Sequence, residues 1–139
     1  MCARVQVLVN IAKRLSSLHF DGWVHRDLKP GNVLWLTRKQ RWTLIDFGLA
    51  ARAGATVPAS FTPTYAAPEV VLAYKAGAPC VAAPSMDAWA MGVMAFELLT
   101  PNPPSKRSRG ALTRCAVALA YIEKFRIFST ISWVSIRDN

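Results

Sequence analysis

Only eight of the 139 residues are acidic, only three are cysteine, and no stretch approaches the roughly 20 consecutive apolar residues that a membrane-spanning helix needs. A spanning segment is therefore excluded. The opening, Met1 to Leu15, has Arg4, Lys13 and Arg14 interrupting a short apolar stretch, which fits neither a secretory signal nor an anchor. The chain reads as soluble. Cys2, Cys80 and Cys115 are odd in number and lack metal-ligand spacing, so neither a disulfide framework nor a zinc site is expected, and a reducing compartment, cytoplasmic or nuclear, is the natural setting. No internal repeat is present.

Scarcity of acid leaves a net charge of +9, but the excess is unevenly placed. Residues 1–105 hold ten Lys and Arg against six Asp and Glu, net +4, while residues 106–139 hold seven against two, net +5. The basic flank of the tail lacks interleaved stacking aromatics and a long cationic face, so a solvated run is expected rather than contact with nucleic acid or acidic lipid. An apolar share of 53% is ample for one buried core.

Along the chain, Val5, Leu8, Ile11, Leu15 and Leu18 recur at three- and four-residue steps, which predicts an amphipathic helix ended by Asp21-Gly22. Two short apolar stretches, Asn32 to Leu36 and Trp42 to Ile45, flank the polar residues Thr37 to Arg41 and predict a hairpin. Residues 50–64, rich in Ala, Gly, Pro, Ser and Thr, have no period and read as an exposed segment suited to modification or substrate docking. Met86 to Leu99 is apolar nearly all round, the mark of a buried helix, and Pro101, Pro103 and Pro104 stop it. From Lys106 the basic run Lys106-Arg-Ser-Arg109 opens a segment of different character, within which Leu112 to Phe125 is a further helix candidate.

The chemistry sits around the hairpin. The loop His25-Arg-Asp-Leu-Lys-Pro-Gly-Asn32 feeds its first strand, and its second strand hands over to Asp46-Phe-Gly48. Strands of about five residues travel roughly 16 Å out and back, so Asn32 and Asp46 are expected side by side. An amide oxygen and a carboxylate placed together suit a hard cation such as Mg²⁺, which keeps other positions for water and phosphate. Gly48 frees the backbone after the ligand. Asp27 can accept a proton from an incoming hydroxyl, and Lys29 offers a point charge to a transferred phosphate.

Taken together, HRDLKPGN, DFG, Ala67-Pro68-Glu69 and Asp87-x-Trp89-x-x-Gly92 resemble, in order and spacing, the C-lobe signatures of eukaryotic protein kinases, over about residues 5–104. Lys29-Pro30 resembles the serine/threonine branch. The resemblance implies a mainly α fold with a small β-hairpin, a partial kinase C-lobe over residues 1–104, and a basic divergent tail over 105–139. It also implies ATP and Mg²⁺ as cofactors and a protein substrate bearing Ser or Thr. By the same resemblance Asp27 is the catalytic base, Asn32 and Asp46 bind magnesium, Lys29 contacts the γ-phosphate, and Leu34 floors the adenine pocket. Thr62 corresponds to the threonine that positions substrate. Arg26 resembles the arginine that pairs with a phosphorylated activation segment, with Thr56 and Ser60 as the candidate sites.

Read one at a time, the motifs are weaker. A lone His-Arg-Asp is more often a surface salt-bridge cluster, and Asp-Phe-Gly is commonly a turn; their order and company reverse the odds. His25, Phe47, Trp89 and Gly92 are expected to pack. Asp87 is expected to cap its helix and brace the catalytic-loop backbone, and Glu69 to form half of a buried ion pair with an arginine that the family supplies far downstream. The family's glycine-rich loop, strand lysine and helical glutamate do not precede Val5, so an absent N-lobe and an apolar face open to a protein partner are expected. Two other functions compete with protein phosphorylation. One is a catalytically silent binding module that competes with full-length kinases for partners. The other, a small-molecule phosphotransferase, is disfavoured by Ala67-Pro68-Glu69 and the Ser/Thr-bearing segment before it.

Overall fold

The computed structural model describes residues 3–100, a mainly helical body with three small two-stranded antiparallel sheets. The expectations for Pro101 to Pro104, the basic segment and the 112–125 helix lie outside the described residues. No helix among them is long and apolar enough to cross a membrane.

Helix α1, Ala3–Phe20, buries Leu8, Ile11, Ala12 and Leu15, the stripe that the three- and four-residue spacing predicts. Gly22 ends it at φ +76°, with its N–H donating to the His19 carbonyl at 2.9 Å, a left-handed closure that glycine adopts without strain. Strands β1 (Trp23–Val24), β2 (Val33–Leu36) and β3 (Arg41–Leu44) follow. β2 and β3 form the expected hairpin, in the register Val33 to Leu44 through Leu36 to Arg41, with Trp35 and Trp42 facing each other at a ring separation of 5.4 Å. Its tip is a short 3₁₀ turn, Thr37–Lys39, closed by Gln40 in the left-handed region.

The segment read as irregular carries two further strands, β4 (Ala51–Arg52) and β5 (Thr56–Val57). β4 pairs with β1, and β5 pairs with β6 (Cys80–Val81). Neither has a sequence period because each is two residues long and held by backbone bonds to a distant partner. Between them, Gly54 donates to Ala82 at 2.8 Å and Ala82 to Ala55 at 2.9 Å.

Helices α2 (Pro68–Lys75) and α3 (Pro84–Leu99) both start on a proline, whose missing N–H costs nothing in the first turn. α3 is the central element, with Met86, Asp87 and every residue from Ala90 to Phe96 buried. It packs Ala90, Met91, Met94 and Ala95 against Leu8, Ile11 and Leu15 of α1, with Leu28 and Leu44 completing that core. Ile11 is fully enclosed, a burial that stabilises by roughly 1.5–3 kcal/mol. A smaller cluster of Ala67, Val70, Cys80 and Met86 lies beside α2.

Two expectations are corrected. Glu69 is exposed rather than buried, and its carboxylate accepts a 3.3 Å hydrogen bond from Ser85 Oγ. Asp87 does not cap α3: the cap position is Ala83, without a side-chain bond, and Asp87 sits inside the first turn. Its bracing role stands. The Asp87 carboxylate, 1% exposed, accepts hydrogen bonds from the backbone N–H groups of His25 and Arg26 and from His19 Nε2, each at 2.8 Å.

Replacing Asp87 with Ala would strand two inward-facing backbone donors and remove the partner of His19. We expect Asp87→Ala to lower unfolding stability by about 3–5 kcal/mol. Urea denaturation followed by tryptophan fluorescence checks this, and an unchanged midpoint would contradict the bracing role.

Candidate active site

The loop from His25 to Asn32 leaves β1 and enters β2 through the short 3₁₀ turn Pro30–Asn32. Its start is held on the Asp87 carboxylate, with Arg26 in the left-handed region at φ +68°. Such a conformation costs a non-glycine residue about 1–3 kcal/mol and persists only where its surroundings impose it. The His25 ring, fully buried, ties the loop to the end of the hairpin. Its Nε2–H donates to the Ile45 carbonyl at 3.1 Å and its Nδ1 accepts from the Asp27 N–H at 3.3 Å, a pattern met by a neutral ring with its hydrogen on Nε2. Phe47 is half-exposed and sets its ring 5.0 Å from that imidazole.

Three donors converge on the Asp27 carboxylate. Lys29 Nζ donates to Oδ2 at 2.6 Å, Asn32 Nδ2 to Oδ2 at 3.1 Å and Thr62 Oγ1 to Oδ1 at 2.7 Å. Lys29 also donates to Thr62 Oγ1 at 3.2 Å, and Asn32 to the Asp27 carbonyl at 2.8 Å. Burial by itself would raise the Asp27 pKa. The hydrogen bonds from Lys29, Thr62 and Asn32, with the lysine charge, outweigh it and hold the carboxyl below its usual range.

The hairpin brings its two ends together as the spacing requires. Ile45 N–H donates to the Asn32 carbonyl at 3.0 Å, so Asp46 follows directly on the residue paired with Asn32. Asp46 is exposed, at φ +61°, and its Oδ1 accepts from Gly48 N–H at 3.3 Å. A Cβ on Gly48 would stand 3.3 Å from that same oxygen, so glycine there leaves the carboxylate room. With its amide hydrogens directed at Asp27, Asn32 has its Oδ1 left to act as a ligand atom. No group of three or more His, Cys, Asp or Glu that could hold a metal occurs among the described residues. An amide and one carboxylate suit Mg²⁺, which takes few protein oxygens, and do not suit zinc.

The other predicted site residues are spread around this centre. Leu34, on β2, is 46% exposed. Thr56 lies exposed on β5 and Ser60 is exposed beyond it. The Arg26 guanidinium donates to the backbone carbonyls of Leu49, at 2.9 Å, and Pro58, at 2.6 Å. Sequence reasoning missed His19, whose link to Asp87 spans 68 positions, and the 2.8 Å bond from Tyr65 Oη to Glu97. A histidine one residue from a helix end carries no signal of such a partner.

The protein kinase domain family matches residues 2–135. Mouse serine/threonine-protein kinase SBK1 is 42% identical over 99 residues, covering 70% of this chain and 24% of its own length. Rat serine/threonine-protein kinase PAK 5 is 35% identical over 102 residues, covering 70% of this chain and 13% of its own. The chain thus spans a quarter or less of these curated relatives. Among solved structures, the kinase PK-1 of Cydia pomonella granulovirus superposes with a TM-score of 0.63 at 27% identity, over 82% of this chain and 41% of that one. A Toxoplasma gondii rhoptry antigen kinase domain superposes with a TM-score of 0.65 at 23% identity, over 84% and 38%, a likeness of fold alone. With a mainly helical body that matches part of a kinase fold, and serine/threonine kinases as its relatives in sequence, the chain belongs to the protein kinase domain family.

Proposed function

We propose that this chain carries the acceptor-side machinery of an ATP- and Mg²⁺-dependent protein kinase that phosphorylates serine or threonine hydroxyls. The observation that carries the reading is the Asp27 carboxylate gathered by Lys29, Asn32 and Thr62 within 2.6–3.1 Å. A carboxylate offers about four acceptor sites. Three are taken here, two on Oδ2 and one on Oδ1, so the vacancy on Oδ1 is the place for a substrate hydroxyl to donate. As the hydroxyl oxygen bonds to the γ-phosphorus and the bond to the departing diphosphate breaks, its proton passes to Asp27. The lowered pKa keeps Asp27 anionic at neutral pH and also makes it a weak base, so the proton moves late, once bonding to phosphorus has made the hydroxyl acidic.

Lys29, between Asp27 and Thr62, supplies positive charge where a transferred phosphoryl group would pass. Asn32 and Asp46 would hold magnesium, which when bound neutralises phosphate charge. Leu34, exposed on the same hairpin, would support the adenine ring. Thr62 comes from the segment before Ala67-Pro68-Glu69, so acceptor binding and base are coupled through one bond, which favours a protein substrate over a small molecule. The kinase unit in this reading runs to residue 104.

A second reading, a silent module that competes for kinase partners, is favoured by Leu34, Trp35 and Phe47, which are 46%, 39% and 49% exposed around the hairpin. Such a surface suits a covering partner.

Three measurements test these readings. Joined to a compatible upper lobe, the chain should phosphorylate a protein substrate, and Asp27→Ala should slow transfer by roughly 10²- to 10⁴-fold; an undiminished rate would refute the base. For the chain alone, a thermal-shift titration with micromolar ATP and magnesium should give little stabilisation if the module is silent, and a clear magnesium-dependent shift would count against silence. The third concerns acid. Because the folded pKa of Asp27 is depressed, its contribution to stability is complete above its unfolded pKa of about 4 and is lost as pH falls through the lower folded value. The stability advantage over Asp27→Asn should stay constant from pH 7 to about 5 and shrink in stronger acid, as read by chemical denaturation. A difference that grows in acid would reverse the assigned sign.

A further inference from the structure

We propose that residues 49–60 are latched in place by Arg26 bridging two backbone carbonyls, so that this segment is ordered without a phosphate on Thr56 or Ser60. The inference concerns regulation of the site above and rests on that reading only for its bearing on catalysis.

A guanidinium presents a rigid fork of five donors, and Arg26 commits one from each terminal nitrogen to this segment. Nη1 donates to the Leu49 carbonyl, at the start of the segment, and Nη2 to the Pro58 carbonyl, near its end. One side chain thus joins positions nine residues apart and fastens both to the loop that bears Asp27. The Pro58 carbonyl is itself a point of convergence. Besides Arg26 at 2.6 Å it accepts from Ser60 N–H at 2.9 Å, with Cys80 Sγ of β6 at 4.0 Å. The proline ring fixes φ there, so this carbonyl is presented with little conformational freedom to lose.

Between the two latch points the backbone is laced to the body at several places. β4 pairs with β1, β5 pairs with β6, Ala53 N–H donates to Gly22 at 3.0 Å and Gly54 N–H to Ala82 at 2.8 Å. The arginine within the segment, Arg52, is also engaged. It donates to the Asp21 carbonyl at 2.9 Å and lies 4.5 Å over the Trp23 ring. Lys29 is held by Asp27 and Thr62. The ordering that a phosphate on Thr56 or Ser60 could bring is thus already supplied by neutral carbonyls. Beyond the second latch point comes Thr62, bonded to Asp27, so the latch also sets the approach of the residue that positions the base.

Backbone hydrogen exchange of the 139-residue chain, read by mass spectrometry after phosphatase treatment and a mass check for absence of phosphate, tests the latch directly. We expect the amides of residues 53–57 to exchange at least tenfold more slowly than an unstructured peptide of the same sequence. Thr56→Ala and Ser60→Ala should leave that protection unchanged. Arg26→Lys keeps the charge but cannot span both carbonyls, and should erase most of the protection here while α1 and α3 keep theirs. Exchange at the unstructured rate in the phosphate-free chain, protection that appears only on phosphorylation, or full protection in Arg26→Lys would each overturn the proposal. Should Arg26→Lys fail to fold, the comparison of phosphate-free and phosphorylated wild type decides alone. No step of this test needs phosphoryl transfer, so loss of the kinase reading and loss of the latch give separate results.

Discussion

A single inward-facing carboxylate fixes the geometry on which the rest of this structure depends. Asp87, in the first turn of the central helix, would be costly to enclose as a lone charge. Its three donors offset that cost, and they come from two places near the chain's start: the end of α1 through His19, and two successive backbone amides through His25 and Arg26. Because two adjacent N–H groups point at the two oxygens of one group, the His25 backbone between them has little choice, and Arg26, next along, stands in the left-handed region. From that fixed start the loop delivers Asp27 toward Lys29 and Thr62 on one side, while the Arg26 side chain reaches Leu49 and Pro58. Packing of α1 against α3 through Ile11 and Met94 keeps the anchor and the anchored parts in one body.

Around Asp27 the same donors do two opposing things. They orient the carboxylate and keep it charged, and they draw down its affinity for a proton. In the proposed phosphoryl transfer, governed by positioning and charge, orientation would be the larger benefit, whereas basicity would matter only after the nucleophile has begun to bond. His25 adds a mechanical link, since one ring spans the Asp27 amide and the Ile45 carbonyl and so couples Asp27 to the strand that leads into Asp46.

Much of this was legible in the residues because the signals were local. The period of α1 and the two apolar runs of the hairpin follow from spacing of a few residues, and the buried stripe of the helix and the ladder from Val33 and Leu44 bear them out. What could not be read joins positions far apart. β4 and β5 are two-residue pairings with β1 and β6, too short for alternation to register. The bond between Thr62 and Asp27 crosses 35 positions; family resemblance marked Thr62 as a substrate-positioning residue but did not foresee that bond. Glu69 and Asp87 show the limit of reasoning from residue type: one acid expected inside lies exposed beside Ser85, and the other braces the catalytic-loop backbone as expected but does not cap its own helix.

The β2–β3 hairpin has a further consequence for how such a chain can change over evolutionary time. Its base, where Val33 meets Leu44, sets the neighbours that Asn32 and Asp46 find, and a one-residue deletion inside either arm would turn every following side chain to the opposite face. Its tip, Thr37 to Gln40, is exposed and closed only by bonds to the Thr37 carbonyl. Descendants of this sequence are free to lengthen or decorate the tip, even with a whole new recognition loop, while the arms stay locked in length by the register that sets their buried faces.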